Sequence, residues 1–158
     1  MPEVERSGSG AVVTVRRLGA EDLEAWRGLW RGYTGFYRAE LGDELSEDTF
    51  GRLCEGGDLI GLVAVEEGGG LVGIAHLVMH ESTWSTASSC YLQDLYVDPE
   101  ARGGGAARAL FDAIYEEARG RGADRVYWHT QQFNGAARSL YDTVGQLTSF
   151  VVYERELG

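Results

Sequence analysis

A glycine-rich loop between a predicted strand and a predicted helix is the part of this sequence best suited to chemistry. Residues 91–110 pass from an apolar run through Asp98-Pro99 into Arg102-Gly103-Gly104-Gly105-Ala106-Ala107-Arg108 and then a helix-like pattern. Glycines allow close backbone approach to a ligand, and N–H groups at a helix start converge on one point with positive dipole behind them. The loop therefore predicts a diphosphate site, with Arg102 adding a charge-assisted contact.

Two common phosphate-binding motifs fit this loop poorly. A P-loop needs a lysine followed by Ser or Thr, and all 14 basic residues here are arginine. A dinucleotide fingerprint needs G-x-G-x-x-G, and the third glycine is missing from Gly103–Arg108. A third pattern, R-x-x-G-x-A, is met by Arg102, Gly105 and Ala107.

A second motif follows further along the chain. Residues 134–141 read Asn-Gly-Ala-Ala-Arg-Ser-Leu-Tyr, with Gly145 beyond, and residues 95–99 before the loop read Leu-Tyr-Val-Asp-Pro. In combination these segments resemble the GNAT superfamily of N-acetyltransferases over Val12 to Tyr153. Residues 92–97 and 140–142 are most similar to its polyamine- and histone-type members.

The resemblance implies a fold, a co-substrate and a set of contacts. The fold is α/β (α+β): a single mixed, mostly antiparallel sheet with splayed central parallel strands and helices on both faces, the acyl-CoA N-acyltransferase fold. The co-substrate is acetyl-CoA, whose pantetheine amides would pair with the splayed strand edge. The cofactor-binding residues would be Leu95, Tyr96, Val97, Arg102, Gly103, Gly104, Gly105, Ala106, Ala107, Arg108 and Asn134.

The resemblance also implies direct attack of an amine on the acetyl thioester. Tyr141 occupies the position that protonates the leaving thiolate. The general base stays open between Asp94, Glu40, Glu81 and a water chain, because Gln93 replaces a family carboxylate and cannot accept a proton at neutral pH. Strand alternation puts Gln93 and Asp94 on opposite faces unless a bulge intervenes.

Acceptor-binding residues are expected at the end of the first helix and on the strand before the loop. Tyr37, Glu40 and Gln93 are the candidates, since carboxylates and tyrosines suit an ammonium group. The acceptor is expected to be the primary amine of a small molecule or peptide. The alternative is a catalytically silent acyl-CoA sensor, which the Gln93 departure would favour.

Periodicity predicts the elements that carry these residues. Helical spacing runs from Leu23 to Tyr37, from an N-cap at Ser46 to about Cys54, and along residues 106–120 and 134–145. Strand-like runs cover residues 12–15, 59–66, 71–79, 90–97, 126–130 and 150–153. The order predicts a parallel crossover between the 90–97 and 126–130 strands.

The composition argues against several kinds of binding partner and site. A net charge of −11 argues against nucleic acid, no run is long enough for a bilayer, and the two cysteines and three histidines show no metal-ligand spacing. We expect a disordered leader over residues 1–10, one domain over 11–158 and a cytoplasmic location. An open sheet edge at the last strand predicts a homodimer.

Overall fold

A computed structural model describes residues 12–158, so the leader predicted over residues 1–10 lies outside the described residues. Short 3-10 turns occupy Ala20–Asp22 and Pro99–Ala101. The longer elements, in chain order, are β1 (Val13–Arg17), α1 (Leu23–Phe36), α2 (Asp43–Glu55), β2 (Leu59–Glu66), β3 (Leu71–His80), β4 (Ser88–Val97), α3 (Ala106–Gly120), β5 (Ala123–Tyr127) and α4 (Gly135–Val144). The chain divides into two compact units, one reaching Trp128 and one from His129 to Gly158.

The first unit is built on one five-stranded sheet in the order β1-β2-β3-β4-β5. The first four strands pair antiparallel. After β4 the chain crosses through α3 and returns as β5, which pairs parallel to β4. The mixed, mostly antiparallel sheet predicted from the sequence is confirmed, as is its parallel crossover.

The parallel pair is short, and this matters for the site. Only Ser88 to Tyr91 of β4 pairs with β5. Within the described residues, β4 beyond Tyr91 has no neighbour on that side. Strand β5 ends at Tyr127, opposite Tyr91, so the backbone N–H and C=O groups of β4 beyond this point have no strand partner on that side.

Helices cover both faces of this sheet. On one face α1 and α2 pack a core that includes Trp26, Phe50, Val63 and Ile74. Gly73 precedes Ile74 on β3 and so faces the other way. A Cβ there would come within 3.1 Å of Leu110 on α3, which places α3 on the second face.

An ion pair between an exposed arginine and a buried aspartate fixes the start of α1 against the sheet. Both guanidinium nitrogens of Arg16 on β1 donate to Asp22, at 2.7 and 2.9 Å. The Gly19 N–H adds a third bond to Asp22 at 2.8 Å. The hydrogen bond from Arg16 lowers the pKa of Asp22, so the carboxylate stays charged and holds the entry into α1.

Several predicted boundaries are wrong. Helix α2 begins at Asp43, and Ser46 is a buried acceptor for the Trp30 indole at 3.2 Å instead of an N-cap. Strand β5 spans Ala123–Tyr127 instead of 126–130. Residues 150–153 form no strand: they are 66–93% exposed, and a strand needs a hydrogen-bonded neighbour, which the described chain does not give them.

Candidate active site

The glycine loop delivers a row of backbone donors at the start of α3. Gly103 and Gly105 have φ of 87° and 84°, a region that side chains with a Cβ rarely adopt. Gly105 is the N-cap and supplies no side-chain bond. Ala109 makes the first helical bond, to the Gly105 carbonyl at 3.0 Å, so the N–H groups of residues 106–108 are left for another acceptor.

The charge around this helix start is also unusual for so acidic a protein. The first turn of α3 contains no acidic residue, whereas Glu24 opens α1 and Asp43 opens α2. The exposed side chains of Arg102 and Arg108 flank it instead. Positive side chains added to a positive helix end make a site for a multiply charged anion such as a diphosphate.

The predicted cofactor residues on β4 lie on the strand edge that β5 leaves open. Among these residues, Tyr96 packs its side chain against α1. A Cβ on Gly32 would lie 2.6 Å from the Tyr96 hydroxyl, so the helix needs glycine at that point to sit over the ring. Tyr96 therefore has only its backbone to offer a cofactor along this edge.

A β-bulge sets the direction of the residues before it. His76 is the register partner of Asp94, and Leu77 is the partner of Leu92, so Gln93 is the extra residue. Tyr91 pairs with Val78, two residues from His76 and thus on the same face. The bulge therefore puts Asp94 on the same face as Tyr91, which strict alternation over three residues would forbid.

Asp94 has two polar side chains beside it on this face. The Nδ1 atom of His76 lies 2.9 Å from Asp94 Oδ2, and Tyr33 on α1 is near enough to interact with the same carboxylate. Burial, followed by the charge of Asp94, raises the pKa of Tyr33, so Tyr33 remains a neutral donor. The carboxylate is still 16% exposed, and with roughly four lone-pair positions it can accept a further donor.

Tyrosine rings surround this carboxylate. The Tyr33 ring lies 5.2 Å from that of Tyr37 and 6.2 Å from that of Tyr96, and Tyr91 stacks on Tyr127 at 5.0 Å. The electron-rich faces of such rings attract cations. A carboxylate among tyrosines is an environment that an ammonium group, or the amine formed from it, would enter favourably.

The other predicted site residues fall into two groups. Tyr37 caps the end of α1 and contacts Tyr33, Gln93 is exposed at the bulge, and Glu40 is exposed between α1 and α2. Asn134 and Tyr141 belong to the second unit, at the N-cap and in the last half of α4. The Asn134 side chain accepts a long bond from the Ala137 N–H at 3.4 Å.

One residue of this region was not predicted. His76 is a polar residue inside the apolar run 71–79. An isolated histidine in a buried strand is a usable signal, because a buried imidazole needs hydrogen-bond partners. The hydrogen-bond partners of this histidine depend on the register of the neighbouring strands, which cannot be read from the sequence.

The sequence comparisons agree with this geometry. The family model described as Acetyltransferase (GNAT) family matches residues 23–145. The chain belongs to the GNAT family of acetyltransferases. This GNAT protein is 34% identical over 145 residues to a Saccharomyces cerevisiae protein named D-amino-acid N-acetyltransferase HPA3, covering 90% of each chain. It is 32% identical to an uncharacterized N-acetyltransferase, YhfO, of Bacillus subtilis, covering 89% of this chain and 95% of that one.

Solved structures show the same fold. An aminoglycoside N-acetyltransferase, AAC(6')-Iy, in complex with the bisubstrate analogue CoA-S-monomethyl-acetylneamine superposes with a TM-score of 0.80 at 18% identity, over 93% of this chain and 99% of that one. A second structure, titled a probable acetyltransferase, gives a TM-score of 0.81 at 23% identity, over 91% and 97%. The family match and the two N-acetyltransferase relatives, together with this fold, show that the GNAT protein is an acetyl-CoA-dependent N-acetyltransferase.

Replacing Gly105 by Val should weaken CoA binding about tenfold or more. A Cβ at φ 84° strains the N-cap although no atom lies within 4 Å, and each hydrogen bond to a charged group that the shifted N–H groups lose is worth about 1.5–3 kcal/mol. Titration calorimetry with CoA measures the change. The matched control is Gly122→Val at the other end of α3, where φ is 83° and the space is equally open; equal affinities for the two variants would contradict a diphosphate site at this loop.

Proposed function

We propose that this enzyme transfers an acetyl group from acetyl-CoA to the primary amine of a small molecule or peptide, by direct attack of the amine on the thioester. The observation that carries the proposal is the Asp94 carboxylate, hydrogen-bonded to His76 on a tyrosine-lined face beside an open strand edge. An ammonium group could bind at this carboxylate, and an acyl-CoA could bind along the strand edge beside it.

Direct attack is supported by the state of the two thiols. Cys90 is fully buried, and burial raises its pKa to about 11. Burial also raises the pKa of Cys54. A covalent acyl-enzyme through cysteine needs a thiolate, and neither cysteine provides one near neutral pH.

Asp94 is our candidate for the general base. As the amine nitrogen bonds to the acetyl carbon, the carbon–sulfur bond breaks and the nitrogen loses a proton. Asp94 is positioned on the acceptor side to take that proton directly or through water. Glu40 and Glu81 are exposed side chains, and solvated carboxylates are weaker candidates for a pocket base.

Tyr141 is our candidate for the acid that protonates the departing thiolate. It is half-buried on α4, and Asn134 begins the same helix. The two residues are seven apart, so they share one helix face. Protonation of sulfur completes the balance: the products are an amide and the free thiol of CoA.

The names of relatives support a small amine as the acceptor. Besides the yeast protein, the chain matches a protein of Caenorhabditis elegans named thialysine N-epsilon-acetyltransferase, at 40% identity over 63 residues. The names of both relatives describe acetylation of an amino acid's amine. The free thiols also suit the predicted cytoplasmic location, which stays a prediction.

We also propose a homodimer, on two observations. Among the described residues β5 has a neighbour on one side only. Separately, the run Phe150–Tyr153 exposes two valines and two aromatic rings. Contiguous exposed apolar residues and open strand edges are typical of surfaces that another chain covers.

A panel of amines tests the function. Thiol release from acetyl-CoA should occur with at least one member of a set containing D-amino acids, thialysine, a peptide and an aminoglycoside. Asp94→Asn should lower kcat/KM about 10²–10⁴-fold, while the exposed Asp112→Asn on α3 should leave it unchanged. Absence of turnover with every amine would favour a silent acyl-CoA sensor.

Tyr141→Phe should lower kcat about 10²–10⁴-fold and leave CoA affinity nearly unchanged, because the proton is needed only as the carbon–sulfur bond breaks. Steady-state kinetics and calorimetry measure the two quantities. Tyr153→Phe, at a 93% exposed tyrosine, is the control. A wild-type kcat in the Tyr141 variant would remove Tyr141 from the mechanism.

Light scattering should give a mass near twice 17.3 kDa at assay concentrations. Val151→Asp should shift the mass toward the monomer, since a charge in an apolar interface is costly. Trp84→Asp introduces the same charge at an exposed residue outside the 150–153 run, where the side chain is 96% exposed, and should leave the mass unchanged. A monomeric wild-type protein would contradict the dimer.

A further inference from the structure

A chain of hydrogen bonds runs from the core to Asp94. The indole nitrogen of Trp26 lies 3.0 Å from Nε2 of His76, and Nδ1 of His76 lies 2.9 Å from Asp94 Oδ2. Trp26 is completely buried and His76 is 3% exposed, so water does not reach the middle of the chain. Each contact has the length of an ordinary strong hydrogen bond.

The donors and acceptors in this chain have only one consistent assignment. An indole N–H can donate but never accept, so the imidazole nitrogen facing Trp26 must carry a lone pair. The other ring nitrogen must then carry the proton of the neutral imidazole and donate it to the Asp94 carboxylate. A ring turned by 180° would place carbon atoms at both positions and lose both contacts, so the two hydrogen bonds fix the ring orientation as well as the tautomer.

We propose that His76 is a positioning residue whose neutral imidazole, locked in one tautomer by Trp26, orients the Asp94 carboxylate toward the acceptor amine. The proposal rests on the proposed function of Asp94 as the base. His76 touches no reacting atom; it acts through Asp94. Trp26 keeps the second nitrogen occupied, so the imidazole cannot compete with Asp94 for the amine's proton.

The packing around the ring supports a fixed imidazole. Trp30 lies over it with centroids 5.3 Å apart, and Trp26 is 5.9 Å away. On β2 the register partner of His76 is Gly61, which brings no side chain to the ring. The titratable groups facing this region from the packed elements are Asp94, Tyr91 and Tyr96 on β4, and Tyr33 and Tyr37 on α1.

Nitrogen NMR of the ¹⁵N-histidine-labelled full chain tests the tautomer directly. At neutral pH the His76 ring should show a pyrrole-type shift at Nδ1 and a pyridine-type shift at Nε2. Trp26→Phe removes the indole donor, which should allow protonation at Nε2 as the pH falls. Trp30→Phe is the matched control: it makes the same change one turn along α1, also beside the ring, but its indole donates to Ser46.

The pH dependence of kcat/KM tests the link to Asp94. A protonated imidazolium would weaken the neighbouring carboxylate as a base. Trp26→Phe leaves Nε2 without its indole donor and so open to a proton, and the ratio of kcat/KM at pH 8 to that at pH 6 should therefore be larger in Trp26→Phe than in wild type. Trp30→Phe should keep the wild-type ratio.

The outcomes separate this inference from the proposed function. A wild-type ring protonated at Nε2 would overturn the inference without any kinetic measurement. Equal pH ratios in the two tryptophan variants would overturn it as well. Turnover that survives Asp94→Asn would instead reject Asp94 as the base, whatever tautomer the NMR spectrum shows.

Discussion

The single extra residue at Gln93 is the constraint on which the rest of the site depends. If Gln93 took a regular place in the pairing with β3, Asp94 would face α3, where apolar side chains would bury its charge without a partner. Because Gln93 is left out of the pairing, Asp94 faces α1 and lies beside His76 and Tyr33. The pairing of β4 with β5 ends directly before this bulge, after Tyr91. The bulge at Gln93 therefore lies at the point where Asp94 is directed toward α1 and where the unpaired edge of β4 begins.

The main elements were predictable because their patterns are local. The 59–66 strand matches the observed β2, Asn134 caps α4 as expected, and the glycines after Arg102 precede a helix. The failures have a common physical cause. Ser46 is a good N-cap by type, yet a tertiary contact with Trp30 determines its place; residues 150–153 have strand propensity but no hydrogen-bonded neighbour among the described residues.

The site was predictable where backbone geometry demands particular residues and unpredictable where it depends on register. A backbone φ near 85° favours glycine, so the loop is visible in the sequence as a run of glycines. The pairing of His76 with Asp94 spans two strands and a bulge. No local pattern specifies a register shift, so the sequence left the base open among several carboxylates and did not indicate the histidine that holds one of them.

The arginines beside the glycine loop have a consequence for the lifetime of the enzyme. An acetyltransferase works in the presence of a reactive thioester, and a lysine in its own cofactor loop would be a nucleophile for that thioester. Acetylation would remove the lysine's charge and weaken the diphosphate site. The guanidinium groups of Arg102 and Arg108 are poor nucleophiles and are not acetylated under these conditions. In a sequence without lysine, the positive charge that we assign to binding the acyl donor is resistant to self-modification.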